Sequence, residues 1–232
     1  MKSYRENELK HYVIAVILMY FVVVNGVNSF INSGDTNTIK FIAEIFEIAI
    51  ISSSIYAFVF VLDSIYSGKL KRKLVFAWMR EPGMLIFEQI EKAKNDIRFT
   101  QTDVKKYYSD IYANMPENRK ENKVYQNQQW YSIYHNYKDV EMVAASAKDY
   151  RLCRDIYIAT INILIVYLFL CLASDIVIFN CRYIMFLIFL LVCTNIATRN
   201  KGKKWVYNVV AYDVIQKKNE NQASCIADFL LK

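Results

Sequence analysis

Residues 156–179 of this chain read IYIATINILIVYLFLCLASDIVIF, and this stretch decides the fold class. Its apolar character is interrupted only by Asn162, Ser174 and Asp175. An α-helix of about 20 apolar residues crosses the ~30 Å hydrocarbon core of a bilayer. The stretch therefore predicts a membrane-spanning helix.

Three further apolar runs occupy residues 12–32, 41–62 and 183–198, so the sequence predicts four spans arranged as two hairpins. The last run is short, and tilt or snorkelling of flanking side chains would have to help it cross. Only five Gly and two Pro are present, which leaves little turn chemistry for a β-sandwich or barrel. Because helices satisfy their own backbone groups inside lipid, we predict an all-α integral membrane protein with four transmembrane helices.

Charged residues concentrate between the two predicted hairpins, although the chain as a whole is 55% hydrophobic. We assign the first hairpin to residues 1–68 and the second to residues 155–199. Residues 69–154 are predicted to form a basic helical cytoplasmic domain, and residues 200–232 a cytoplasmic tail helix. This division predicts two lipid-embedded hairpins joined to an aqueous domain, because one globular core would not separate charge in this way.

The distribution of Lys and Arg predicts the orientation of the chain. Basic clusters follow the second and fourth spans, in residues 69–73 and 199–204, whereas the loops that close the two hairpins contain the single bases Lys40 and Arg182. By the positive-inside rule, both termini and the central domain face the cytoplasm. We expect the cluster at residues 69–73 to face anionic lipid headgroups.

Helix signals recur along the central domain and the tail. Pro82 lies at a helix start, and the pair Thr100 and Asp103 resembles the N-terminus of a second helix. The predicted helices after Pro82 cover residues 101–114, 122–137, a segment from about Asp139 into the third span, and residues 205–217. The last of these carries an apolar stripe of Val206, Val209, Val210 and Val214.

Polar residues in the first hairpin are candidates for lining a pore. Glu44, Glu47 and Ser54 fall on one face of the second span, and Asn25 and Asn28 repeat the pattern in the first. Several copies of this hairpin around an axis would form an acidic ring, and carboxylate rings favour cations. The alternative is that the carboxylates lie at headgroup level and the asparagines join helices by hydrogen bonds.

The central domain interleaves bases with aromatic residues, a pattern that suits a nucleotide or a short single-stranded oligonucleotide. The candidate ligand-binding residues are Arg98, Lys105, Lys106, Trp130, Tyr131, Tyr134, Arg151 and Arg154. Two alternatives stay open. The aromatic residues are also spaced as a helix core stripe, and the bases would also suit lipid headgroups.

No residue pattern indicates catalysis, and we expect that the chain is not an enzyme and holds no cofactor or metal. His11 and His135 are its two histidines. A phosphate-binding glycine loop, an acid–base pair on one predicted helix face and a CxxC pair are all missing from the sequence.

Three segments carry a resemblance to a known family: YQNQQWYSIY at residues 125–134, AKDYRLCRD at residues 147–155 and RNKGKKWVYNVV at residues 199–210. Over residues 76–215 the chain resembles the small transmembrane effectors encoded beside nucleotidyltransferases in bacterial anti-phage operons. These include four-helix and two-helix effectors of CBASS-type systems and the membrane effector of the Hailong system.

The resemblance implies a homo-oligomeric pore in the bacterial inner membrane, with a tetramer as one candidate. A nucleotide signal made by the partner nucleotidyltransferase would bind the cytoplasmic part and control the pore, whose opening would collapse the membrane potential of an infected cell. Two rival functions stay open from the residues alone. One is a membrane-anchored binding or scaffold protein without a pore, and the other is an enzyme of lipid or envelope metabolism.

Overall fold

The computed structural model describes residues 2–25, 38–77, 81–92, 96–173 and 177–230. Within them the chain forms helices, and the predicted all-α class is confirmed for this part, which contains no strand. The helices are α1 (Lys2–Asn25), α2 (Thr38–Ile65), α3 (Gly68–Val75), α4 (Ile86–Lys92), α5 (Gln101–Tyr107), α6 (Ser109–Ala113), α7 (Arg119–Tyr137), α8 (Glu141–Ala173) and α9 (Cys181–Leu230). A 3-10 helix, Pro82–Leu85, precedes α4.

Three stretches of the described helices are long and apolar enough to cross a membrane: Glu6–Val24, Glu141–Ala173 and Cys181–Ser224. Ala49–Ile65 of α2 and Gly68–Val75 of α3 pass the same test together, but they are bent by 100° at the break between them. They make a fourth candidate only when the bent pair is taken as one span. The helices therefore indicate a membrane protein with three candidate spans, a coarser result than the four that the sequence predicts.

The helices divide between two compact units. We call Met1–Val75 with Arg151–Thr198 the span unit, and Phe76–Tyr150 with Arg199–Lys232 the polar unit. Helices α8 and α9 each contribute residues to both units. Two predictions are confirmed by these helices, since α8 starts within two residues of the expected position and α9 continues from the fourth apolar run through the tail.

Apolar side chains from four helices form the core of the span unit. Val13 of α1, Val59 of α2, Ile163 of α8 and Leu187 of α9 are all buried there. Tyr183 adds a polar anchor, because its hydroxyl donates to the carbonyl oxygen of a residue of α1 at 3.0 Å. On the outside the same helices leave many large apolar side chains exposed, as expected of helices that face lipid.

The core of the polar unit is built on the predicted apolar stripe of α9. Val206, Val209, Val210 and Val214 are all buried, which confirms the prediction from their helical spacing. They pack with buried residues of α4, α5, α7 and α8. The stripe therefore turns the C-terminal half of α9 into the central element of this unit.

The helix predicted over residues 101–114 is wrong in its length. Its start is confirmed by a complete capping box, in which the side chains of Thr100 and Asp103 each accept a hydrogen bond from the other residue's backbone N–H. The helix then ends at Tyr107, because Tyr108 leaves the helical region with φ −121° and ψ 19°. Tyr108 is 1% exposed and its hydroxyl is held in the core, so tertiary packing interrupts the periodic pattern.

Helix α7 begins earlier than the predicted residue 122. Asn118 caps it by accepting a hydrogen bond from the backbone N–H of Lys120 at 2.9 Å. This asparagine, which lies before the predicted start, is the cap that allows the helix to start at Arg119.

Candidate anion-binding pocket

A pocket of about 390 Å³ lies within the polar unit, a size in the range of small-molecule sites, and most of its lining residues are polar or charged. Two helices and one loop line it, and the helical residues recur at spacings of three, four and seven, which places each set on one face. The lining residues are Arg98 from the loop before α5, Met142, Ala145, Ser146 and Asp149 from α8, and Lys201, Lys204 and Asn208 from α9.

Arg98 is held in a fixed orientation at this pocket. Its Nε and one Nη donate to the two carboxylate oxygens of Asp96 at 2.9 and 2.7 Å, and the other Nη donates to Oδ1 of the buried Asn208 at 2.7 Å. The hydrogen bond lowers the pKa of the Asp96 carboxyl and raises that of the Arg98 guanidinium. Both groups are therefore charged at neutral pH, and the guanidinium is preorganised.

The charges around the pocket are mostly positive. Lys201 Nζ lies 2.7 Å from Oδ2 of Asp149, and Lys204 is exposed on the next turn of the same helix. Counting Asp96 behind Arg98, three cations meet two carboxylates, which leaves one net positive charge. Such an arrangement attracts anions, and arginine with lysine is the usual set for phosphate.

Aromatic packing fixes the walls that carry these side chains. Tyr150, next to Asp149 on α8, stacks on Trp205 of α9 with ring centroids 5.3 Å apart. Trp205 also meets Trp130 edge to face at 4.9 Å. The close approach depends on Gly202, since a Cβ there would lie 3.3 Å from the Tyr150 ring.

Of the eight predicted ligand-binding residues, Arg98 lines this pocket and the predicted aromatic residues lie elsewhere. Trp130 is buried in the core, where its Nε1 donates to the carbonyl oxygen of Val206 at 3.2 Å. Tyr134 stacks on Trp130 at 5.5 Å, and Tyr131 is exposed on the same helix. Trp130 and Tyr134 thus occupy the core positions that the alternative interpretation gave them.

The predicted lysines of α5 are separate from the pocket lining. Lys105 is largely exposed, with Nζ 4.0 Å from a carboxylate oxygen of Glu91. Lys106 places its ammonium 5.3 Å from the ring centroid of Tyr107. These are contacts of a solvated helix face.

The two remaining predicted bases, Arg151 and Arg154, belong to the span unit, where an ionic cluster lies that the sequence pattern did not indicate. Arg154 lies 2.9 Å from Asp155, and Lys71 Nζ lies 2.6 Å from Asp63 and 3.8 Å from Asp155. The expectation that Lys71 faces lipid headgroups is wrong, because its side chain is buried against these carboxylates. The 100° bend before α3 brings the partners together, and no helical period in the sequence signals it.

The predicted pore-lining residues fall mostly outside the part that the structure describes. Asn28 lies beyond the described residues, and Asn25, Glu44 and Glu47 belong to helices whose side chains at these positions are outside it. Ser54 is described and exposed, and its hydroxyl donates to the backbone carbonyl four residues earlier at 2.9 Å. Among the described residues, no group of three or more His, Cys, Asp or Glu side chains is placed to hold a metal ion.

Sequence reasoning missed most of this pocket, although a signal was present. Polar residues repeat at helical spacing beside apolar stripes, on α8 as Ser146 and Asp149 and on α9 as Lys201, Lys204 and Asn208.

Comparisons with protein-family models, curated proteins and solved structures give no match to this chain.

Proposed function

We propose that this chain is a homo-oligomeric membrane effector, an ion-conducting pore controlled by a nucleotide or a short single-stranded oligonucleotide. The observation that carries the proposal is the pocket at Arg98, where Lys201 and Lys204 add two further cations. A preorganised arginine beside two lysines suits the phosphate groups of such a ligand.

Helix continuity supports the step from binding to conduction. The two helices that line the pocket, α8 and α9, also include two of the candidate spans. A ligand that binds Lys201 and Lys204 of α9 competes with the ion pair between Lys201 and Asp149 of α8, and it thereby shifts α8 against α9 inside the polar unit. Because packed helices move as rigid elements, such a shift is passed along their length.

The proposal includes the topology and setting that the sequence analysis predicts. Residues 41–62, within α2, cross the bilayer as a fourth span, and both termini and the polar unit lie in the cytoplasm beneath a bacterial inner membrane. The resemblance to anti-phage effectors supplies the ligand's source, a partner nucleotidyltransferase. Opening of the pore changes the membrane potential of an infected cell.

The decisive experiment is ion flux through liposomes that contain the purified full-length protein. We expect flux above that of empty vesicles, and we expect it to change when AMP, ATP or short oligonucleotides are added. Lys204→Met should weaken the nucleotide response, whereas Lys203→Met, an exposed lysine outside the pocket lining, should leave it unchanged. Flux equal to that of empty vesicles under every nucleotide would refute the pore.

The same liposomes test the acidic ring. Replacing Glu44 and Glu47 together by Gln should reduce the preference for cations over anions, because the ring would lose its carboxylate charge. Unchanged selectivity would return both residues to the headgroup level.

One observation favours the second candidate, a membrane-anchored binding or scaffold protein without a pore. The hydroxyl of Ser54 is satisfied by its own helix, so its exposed position does not require a water-filled path. A monomer in mild detergent together with absent flux would select this candidate.

A further inference from the structure

Asp149 occupies a particular place in the pocket, because it is a carboxylate in a site that attracts anions. Its Oδ2 lies 2.7 Å from Lys201 Nζ, the geometry of a charge-assisted hydrogen bond. Lys204 and Arg98 line the same pocket. A carboxylate in this position stands where an anionic ligand would stand.

We propose that Asp149 is a built-in competitor for the terminal phosphate group of the pocket's ligand. In the free protein Asp149 holds Lys201, and on binding the phosphate replaces it and contacts Lys201, Lys204 and Arg98. The inference rests on the proposed ligand site. It names the terminal phosphate as the group of the ligand that the site recognises, and Asp149 as a residue that sets the affinity for it.

The donors at the pocket match a phosphate group. Arg98 uses three of its five N–H donors on Asp96 and Asn208 among the described residues, which leaves two donors, one on each Nη, on a fixed planar group. Together with the ammonium groups of Lys201 and Lys204 they can reach the three terminal oxygens of a phosphate.

The charges favour a terminal phosphate over a phosphodiester. Asp96 neutralises Arg98, so that departure of Asp149 leaves the pocket lining with two net positive charges, carried by Lys201 and Lys204. A phosphate monoester carries about −1.5 to −2 charges near neutral pH, and a phosphodiester carries a single one. The monoester therefore balances the two lysines.

Displacement of Asp149 costs little. The side chains of Lys201 and Asp149 are 41% and 51% exposed, and exposed ion pairs contribute only about 0.2–1 kcal/mol. Water can solvate the released carboxylate. The pair is thus weak enough to exchange and strong enough to compete with a loosely bound anion.

The test measures affinity by calorimetry on the full-length protein in detergent, with AMP as the probe. Asp149→Asn should tighten AMP binding about three- to tenfold, because both the competition and the repulsion of the ligand are lost. Lys204→Met should weaken it about tenfold. Asp139→Asn and Lys203→Met change exposed residues of the same unit outside the pocket lining and serve as matched controls.

Four further ligands test the recognised group. The dinucleotide pApA, with a 5′-phosphate, should bind in the same variant-dependent way as AMP, whereas ApA should bind at least about tenfold more weakly. Citrate tests whether carboxylates suffice, and equal affinity for citrate and AMP overturns the assignment to phosphate. Short-chain phosphatidic acid tests lipid as the source, and its binding in the same variant-dependent way supports the phosphate site with a lipid ligand.

Two results overturn the role of Asp149. The first is an AMP affinity that is unchanged or weaker in Asp149→Asn. The second is that no phosphate ligand binds saturably to either the unchanged protein or the Asp149→Asn variant. The proposed function fails separately. If Asp149→Asn binds AMP more tightly while liposome flux ignores every nucleotide, the competitor stands and the ligand-controlled pore does not.

Discussion

Tyr108 donates its hydroxyl hydrogen to Oδ2 of Asp213 across 2.6 Å in the core of the polar unit. Asp213 is 4% exposed and also lies 2.9 Å from Lys217 Nζ, so its charge is paired and hydrogen-bonded. The hydrogen bond joins Tyr108, which lies between α5 and α6, to helix α9. It explains why the helix predicted over residues 101–114 breaks at Tyr108.

The substitution Tyr108→Phe should therefore lower the free energy of unfolding by about 2 kcal/mol. It removes a hydrogen bond to a charged acceptor without changing the shape of the core. Chemical denaturation in mild detergent measures the loss. Tyr125→Phe, a half-buried tyrosine of the same unit, is the control and should cost less than about 0.5 kcal/mol. Equal effects of the two changes would show that the bond to Asp213 contributes nothing specific.

High pH should destabilise the polar unit. Burial raises the pKa of Tyr108 and of Tyr112, and burial with the charge of Asp213 raises the pKa of Tyr137 to about 12. These groups are protonated in the folded state at pH values where an unfolded tyrosine, with a pKa of 10.0, is ionised. Their contribution is complete below pH 10 and is lost as the pH rises through the folded pKa values.

Unfolding measured between pH 9 and about 12 should show stability falling from about pH 10 upward, while tyrosinate absorbance of the folded protein rises late. Tyr137→Phe should make the fall between pH 10 and about 12 shallower, because it removes one of the titrating groups. A stability that is constant across this range would contradict the assignment.

The long helices and the valine stripe were predictable from sequence, because each depends on residues a few positions apart in the chain. The pocket was not, since it requires Arg98 to meet Asn208 and Asp149 to meet Lys201. No periodicity encodes such pairings between distant segments. The break at Tyr108 was hidden for the same reason, because its cause is a carboxylate on a distant helix.

Gly83 lies against α7, and a side chain at this position displaces the amide of Asn127. A Cβ at this position would lie 2.7 Å from Oδ1 of Asn127 and 3.4 Å from the ring of Trp130, so the 3-10 helix packs directly on α7. Because the Asn127 amide can move aside, Gly83→Ala should cost about 1 kcal/mol, the low end of overpacking, measured by thermal unfolding. Gly68→Ala is the control, because a Cβ there meets nothing within 4 Å. It should be neutral or slightly stabilising, and a loss equal to that of Gly83→Ala would refute the packing argument.

Lys71 should be essential to the span unit. Its ammonium lies 2.6 Å from Asp63, so Lys71→Met leaves that mostly buried carboxylate without its cation. We expect a loss of about 3 kcal/mol in unfolding free energy, as for other broken buried pairs. Lys69→Met, an exposed lysine of the same cluster, should change little. Combining Lys71→Met with Asp63→Asn should recover part of the loss, and a double variant worse than the sum of both would argue against a direct pair.

The proposed topology predicts which native cysteine reacts from outside the cell. Cys181 begins α9 and is exposed, and in the proposed orientation it lies between the third and fourth spans on the external side. Cys193 is also exposed, but it lies in the middle of the apolar run, where lipid excludes a water-soluble reagent. A membrane-impermeant maleimide applied to intact spheroplasts should therefore label Cys181 and spare Cys193. Cys181→Ser should abolish the labelling. Labelling of Cys181 only after the membrane is permeabilised would reverse the orientation and place the phosphate pocket on the outside, which would exclude a cytoplasmic nucleotide as its ligand.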